Sequence, residues 1–143
     1  MRFDPRMLEP VALFGRFKGG QDTVRQRLRE AGVICQSRIA DTTNLLVMAD
    51  ASFEIPDTSS IMLKHVVRWH TPIITHTQLQ QLLDGHMSYG EFSQLGISNR
   101  NDFGTRWYAS VQASRIAVAK QRSDDFNRHL SEIPTSLRFR THF

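Results

Sequence analysis

Two cations set among glycines are the first residues of this chain whose types and spacing suggest chemistry. Gly15-Arg16-Phe17-Lys18-Gly19-Gly20 places Arg16 and Lys18 just ahead of a glycine pair. Backbone N–H groups left open by Gly19 and Gly20 at the mouth of a helix, with two side chains supplying charge, would suit an anion such as phosphate. The segment lacks the lysine and Ser/Thr ending of a nucleotide-binding P-loop, and a Gly-Gly turn between strand and helix also serves as plain punctuation. Catalytic and metal constellations are absent by pattern. His65, His70, His76, His86, His129 and His142 form no close pair with a carboxylate at helical spacing, and Cys35 has no second cysteine to bind metal with. There is no Gly-x-Ser-x-Gly, no dinucleotide fingerprint and no paired carboxylates. The expectation is a protein without catalytic residues, metal or cofactor.

The elements that must hold the glycine loop can be read on either side of it. Val11-Ala12-Leu13-Phe14 is a short continuous apolar run of the kind that forms a strand buried on both faces of a parallel sheet. After the loop, Asp22 is the expected N-cap of a helix with Val24, Leu28 and Ala31 on one face and Gly32 at its end. Val33-Ile34-Cys35 and Leu45-Leu46-Val47-Met48 read as the second and third strands of a βαβ unit. Ala49 to Ser60 reads as a loop in which Ser59 or Ser60 caps the next helix, Ile61 to Trp69, ended by Pro72. Ile73-Ile74 is a short fourth strand, Thr75 or Thr77 a cap, and Leu79, Leu82 and Leu83 the apolar face of a third helix stopped by Gly85.

Composition sets limits on this frame. The 143 residues are 40% hydrophobic, enough for one ordinary domain with a core and an appendage. A lone cysteine makes no internal disulfide, and no apolar run approaches the ~20 residues of a membrane span, so a soluble intracellular protein is expected. The net charge of +4 is unevenly placed: residues 1 to 99 hold ten Lys or Arg and ten Asp or Glu, and residues after Asn99 hold eight against four. Any general attraction to an anionic partner is therefore expected from the C-terminal segment, or the surplus is simply a solvated face.

With Gly15, Gly32-Val33, Arg38-Ile39 and Thr43-Asn44-Leu45-Leu46-Val47 in sequence, residues 11 to about 84 resemble a BRCT domain. The likeness is nearest to the single BRCT domain that ends bacterial NAD-dependent DNA ligases. Farther on, Val66, His70 and Ile73-Ile74 match the family's small residue, turn glycine and apolar pair, with histidine in place of the glycine; the usual aromatic of the last helix falls at Gln78 or Leu79. The resemblance implies a four-stranded parallel sheet in the order 2-1-3-4, one helix on one face and two on the other. It also implies a role in DNA repair, replication or another nucleic-acid transaction. The family's phosphate pocket uses a hydroxyl beside the first glycine and a lysine near the start of the second helix, positions held here by Phe14 and Met62. That weakens a phosphopeptide reading and leaves Arg16, Lys18, Gly19 and Gly20, with Ser60 and Lys64, as the anion candidates.

The chain thus divides into an entry segment (1–10), the BRCT-like domain (11–85), and a strap with a basic helical extension and tail (86–143). The strap carries Tyr89, Phe92, Leu95 and Ile97 in a run broken by Gly90 and Gly96; the helix runs from Thr105 to about Leu130. Its apolar positions Trp107, Val111, Val118 and Phe126 form a broken stripe that needs a partner, either the domain's own flank or a second copy of the chain. Arg106, Arg115, Lys120, Arg122, Arg128, Arg138 and Arg140 are the nucleic-acid candidates; if DNA is bound, binding is expected to be weak and without sequence preference, with Arg115, Arg122 and, on a neighbouring row, Lys120 giving a salt slope of about −3. The tail Leu137 to Phe143 alternates apolar and polar residues, as an added strand or docking peptide would, or is simply a frayed terminus. The expected function is a non-catalytic scaffolding module that holds a protein partner. The alternatives are a self-associating structural protein that keeps the fold without phosphate recognition, and an enzyme whose site is assembled across an oligomer.

Overall fold

A computed structural model describes residues 3–132, with the side chains of residues 131 and 132 left aside. A short 3₁₀ turn, Pro5–Leu8, leads into β1 (Val11–Phe14), followed by α1 (Gln21–Glu30), β2 (Leu45–Met48), α2 (Asp50–Glu54), α3 (Ile61–Trp69), β3 (Ile73–Thr75), α4 (His76–Leu83) and α5 (Tyr89–Glu132). The protein is α/β, and its sheet is parallel and three-stranded in the order β1-β2-β3, with Val11 opposite Leu45 and Leu46 opposite Ile73.

All four residues of β2 are buried because it is the central strand, covered on both faces. The period-two alternation divides the sheet's side chains cleanly. Val11, Leu13, Leu45, Val47 and Ile74 share one apolar cluster with Val24 and Leu28 of α1, Leu79 and Leu82 of α4, and Phe92 of α5. Ala12, Leu46, Met48 and Ile73 point to the other face and are buried too, where Ile73, Val66 of α3 and Phe103 of α5 line a common cavity.

The expected second strand shrinks to one parallel bridge, between Val11 and Cys35. Its residues lie on the far side of β1, but side chains take the place of a ladder. The Ile34 N–H donates to the Glu9 carboxylate at 3.1 Å, Ile34 is 76% exposed, and the Thr43 hydroxyl donates to Gln36 Oε1 while accepting from the Ala40 N–H. The four-stranded count is corrected accordingly. Asp22 does not cap α1; the cap is Gly20, at φ 88°, following a turn in which the Gly20 N–H bonds the Phe17 carbonyl. Part of the expected Ala49–Ser60 loop is helical, as α2.

Other ends follow the sequence. Ser60 caps α3, accepting from the Leu63 N–H, and Thr75 with Gln78 forms a reciprocal capping box at the start of α4. Gly32 and Gly85 both take positive φ just beyond their helices, where Val33 N–H reaches the Leu28 carbonyl and His86 N–H the Gln81 carbonyl. At the end of α3 the same left-handed position falls to His70, at φ 54°, with Thr71 N–H on the Val66 carbonyl. A left-handed residue with a Cβ costs about 1–2 kcal/mol, part of which glycine gives back through its freer unfolded chain. His70→Gly should therefore raise stability by about 0.5–1 kcal/mol in urea melts; a decrease would mean that the imidazole's own contacts outweigh the backbone term.

The largest departure is at α5. The segment expected as a strap is its first part, running through Gly90, Gly96 and Gly104 without a break. Phe92, Gly96, Asn99, Phe103 and Trp107, spaced by threes and fours, are all buried. Gly96 lies at a close approach, since a Cβ there would stand 3.3 Å from Pro72 Cβ, which would have to give by a few tenths of an ångström. Asn99 Nδ2 donates to the Ile73 carbonyl at 3.1 Å and to Gln78 Oε1 at 2.7 Å, tying the helix to β3 and to the α4 capping box. Contacts divide the chain into two compact units, Met1–Tyr108 and Ala109–Phe143.

Candidate interaction surfaces

In a parallel sheet with helical crossovers, ligands ordinarily meet the loops beyond the strands' C-terminal ends. Here that region holds a cavity of about 420 Å³ lined by Phe14, Gly15, Arg16, Ser52, Ile55 and Asp57, with Ala51 completing it. Gly15 (φ 106°) lies so close beneath α2 that a Cβ would clash with Ser52 Oγ and stand 2.8 Å from Ala49 Cβ. Beside it, the Asp50 carboxylate accepts from both the N–H and the hydroxyl of Thr77, joining the start of α2 to the start of α4. The cavity offers one guanidinium, one hydroxyl, one carboxylate and an apolar floor, a mixture with no excess of positive charge.

Of the residues expected to cradle an anion, Arg16 alone lines this cavity. Lys18, Gly19 and Gly20 are exposed in the following turn, where the Gly20 N–H is engaged by Phe17 and the Gly19 carbonyl accepts the Thr23 hydroxyl at 2.6 Å. Asp22 puts a carboxylate in the first turn of α1, where it competes with any bound anion for the helix end. The Ser60 hydroxyl is engaged in capping, and Lys64 is exposed on α3. The residues matching the family's pocket donors, Phe14 and Met62, are both partly buried.

Arg106, expected at a nucleic-acid surface, instead joins α5 to α2. Its guanidinium donates to the Phe53 carbonyl and, at 2.9 Å, to that of Glu54, stacks 4.3 Å from the Phe53 ring centroid, and pairs with Asp102 at 3.4 Å. Two carbonyls at the end of a short helix are natural partners for a cation. Arg100 has a related role: Nη1 donates to the His70 carbonyl at 3.2 Å, and the side chain borders cavities of about 210 and 230 Å³. Cys35 is half-buried, and burial pushes its thiol up from the ordinary range despite nearby Arg25 and Arg29, which makes it a poor nucleophile at neutral pH. Among the described residues no group of three or more His, Cys, Asp or Glu could hold a metal ion, and no helix is long and apolar enough to cross a membrane.

In the second unit, the described residues from Gln112 to Leu130 are all exposed. Of the expected self-association stripe, Trp107 belongs to the first unit and is 5% exposed, Val111 is partly buried, and Val118 and Phe126 are exposed. Arg128 pairs with Asp125 at 2.7 Å, while Arg138 and Arg140 lie outside the described residues, as does the tail read as an added strand. Arg115, Lys120 and Arg122 remain as exposed candidates. Arg115 and Arg122, seven residues apart, share a side of the helix, and Lys120, two residues from Arg122, sits on a different side. A duplex laid along this helix would meet two cations, so the log–log salt slope on DNA should be about −2 instead of about −3. A measured slope of about −3 or steeper would bring in Arg16, Lys18 or the C-terminal residues.

Comparison with known families finds no family model that matches the chain, and comparison with curated proteins finds no match either.

Proposed function

We propose that this protein is a non-catalytic scaffolding module that resembles a BRCT domain and holds a protein partner during DNA repair, replication or a related nucleic-acid transaction. The observation that carries the binding role is the exposed helix of the second unit, where Ile116 is 60%, Val118 51% and Phe126 61% exposed. Large apolar side chains set among charges on one element are what a binding partner would bury. The BRCT likeness is supported by the placement of Cys35 beyond β1, which gives the order expected of that family, and by α1 and α4 sharing one face with α3 on the other. Phe14 and Met62 at the family's phosphate positions, and Asp57 in the cavity, favour recognition that does not depend on phosphate.

Photocrosslinking tests this reading. A photoreactive residue at Ile116 or Phe126 should give adducts with a protein, and one at Ser52 should not. Adducts only from Ser52, or only with nucleic acid, would overturn it. The same surface would serve a self-associating structural protein, in which case the adduct would be the chain itself.

A further inference from the structure

The exposed apolar residues of the second unit are better ordered than the stripe of Trp107, Val111, Val118 and Phe126. From Gln112, steps of four and three alternate through Ile116, Ala119, Ser123, Phe126 and Leu130. This is the repeat that keeps one seam of an α-helix facing a neighbouring helix. It lies wholly within the second unit, on residues that are all exposed. Ile116, Phe126 and Leu130 supply large apolar side chains, and Ala119 and Ser123 leave room for those of a partner. At about 1.5 Å per residue the seam runs for about 28 Å.

Charge around the seam selects the partner. The positions that border such a seam hold Arg115, Arg122 and His129 on one side and Ala113, Lys120 and Asn127 on the other, with no carboxylate among them. Asp124 and Asp125 fall at positions facing away, and Asp125 pairs with Arg128. Two copies of this helix side by side in parallel would set Arg115 against Lys120, and in antiparallel would set like positions together, so self-pairing is repelled at its flanks. We infer that the face centred on Ile116, Ala119, Phe126 and Leu130 receives an amphipathic helix with acidic flanks from a different protein. This deepens the scaffolding role proposed above and rests on it.

The probe is a labelled three-heptad peptide with Ile and Leu at its seam and Glu at every flanking position, compared with a version carrying Lys there. In fluorescence anisotropy with the full chain at low salt, the acidic peptide should bind at least tenfold more tightly than the basic one. Ile116→Glu with Phe126→Glu should weaken it at least tenfold, and Gln121→Glu, on the opposite side of the helix, should change it less than twofold. Arg115→Glu with Arg122→Glu should reverse the preference between the peptides, which simple loss of folding would not do. Equal binding of both peptides, or of neither, overturns the inference. So does a stable dimer of the chain in sedimentation equilibrium that the Ile116→Glu, Phe126→Glu variant dissolves, or capture by phosphatidylserine vesicles that the acidic peptide fails to compete. Protein adducts from the seam positions together with failure of the acidic peptide would leave the scaffolding role standing and remove only its acidic partner.

Discussion

A chain ended after Gly85 should lose cooperative folding, whereas one ended after Tyr108 should melt close to the temperature of the full protein. The reason lies in the first part of α5. Phe92, Phe103 and Trp107 are 3%, 0% and 5% exposed, and burial of three such side chains contributes roughly 5–9 kcal/mol at about 1.5–3 each. A domain's total stability is only about 5–15 kcal/mol. The shorter truncation also removes Asn99 from the Ile73 carbonyl and Arg106 from the carbonyls of Phe53 and Glu54. Ending the chain after Tyr108 keeps all of these and deletes the second unit. Calorimetry on the two truncations decides it: a sharp transition at unchanged temperature in the Gly85 form would mean that the core closes without α5.

Gly15→Ala should destabilise the protein by roughly 2–6 kcal/mol. Two costs combine there: about 1–3 kcal/mol for an L-residue held at φ 106°, and about 1–3 kcal/mol for forcing a methyl into a packed site. Ser52 can turn away, but Ala49 cannot, because its N–H is fixed to the Phe14 carbonyl at 2.9 Å. Ser52→Gly in the same chain should therefore recover part of the loss and leave the φ term. Urea titration of the single and double mutants gives the coupling between the two sites. Independent, additive effects would mean that Ser52 is not what the new methyl meets.

What the sequence made legible followed from strong local signals. The apolar runs of β1 and β2, the glycines after α1 and α4, and the caps Ser60 and Thr75 each have a physical cause within a few residues. The reduced second strand is not legible, because the Ile34 N–H is taken by the Glu9 carboxylate, 25 residues away, and Gln36 by the Thr43 side chain, bonds that an apolar run does not announce. α2 is too short for a periodic signal. The start of α5 was hidden behind Gly90 and Gly96, which read as breakers although Phe92, Asn99, Phe103 and Trp107 carried the helical spacing across them. Arg106 looked like a free surface cation because its partners are backbone carbonyls, which no side-chain pattern announces. The seam of Ile116, Ala119, Phe126 and Leu130 is masked in the sequence by the larger Trp107, which is buried in the first unit while the seam positions of the second are exposed.

Hydrogen–deuterium exchange of the full chain, with and without the acidic three-heptad peptide, tests most directly where this protein binds. Residues Gln112 to Leu130 are exposed in the free chain, and a helix docked along the seam would slow their exchange. Added protection is expected in that stretch alone, with the Arg16–Gly20 turn and the Ser52–Asp57 segment unchanged. Protection at the cavity beside Gly15 while the helix remained unaltered would contradict it and move recognition to the end of the sheet.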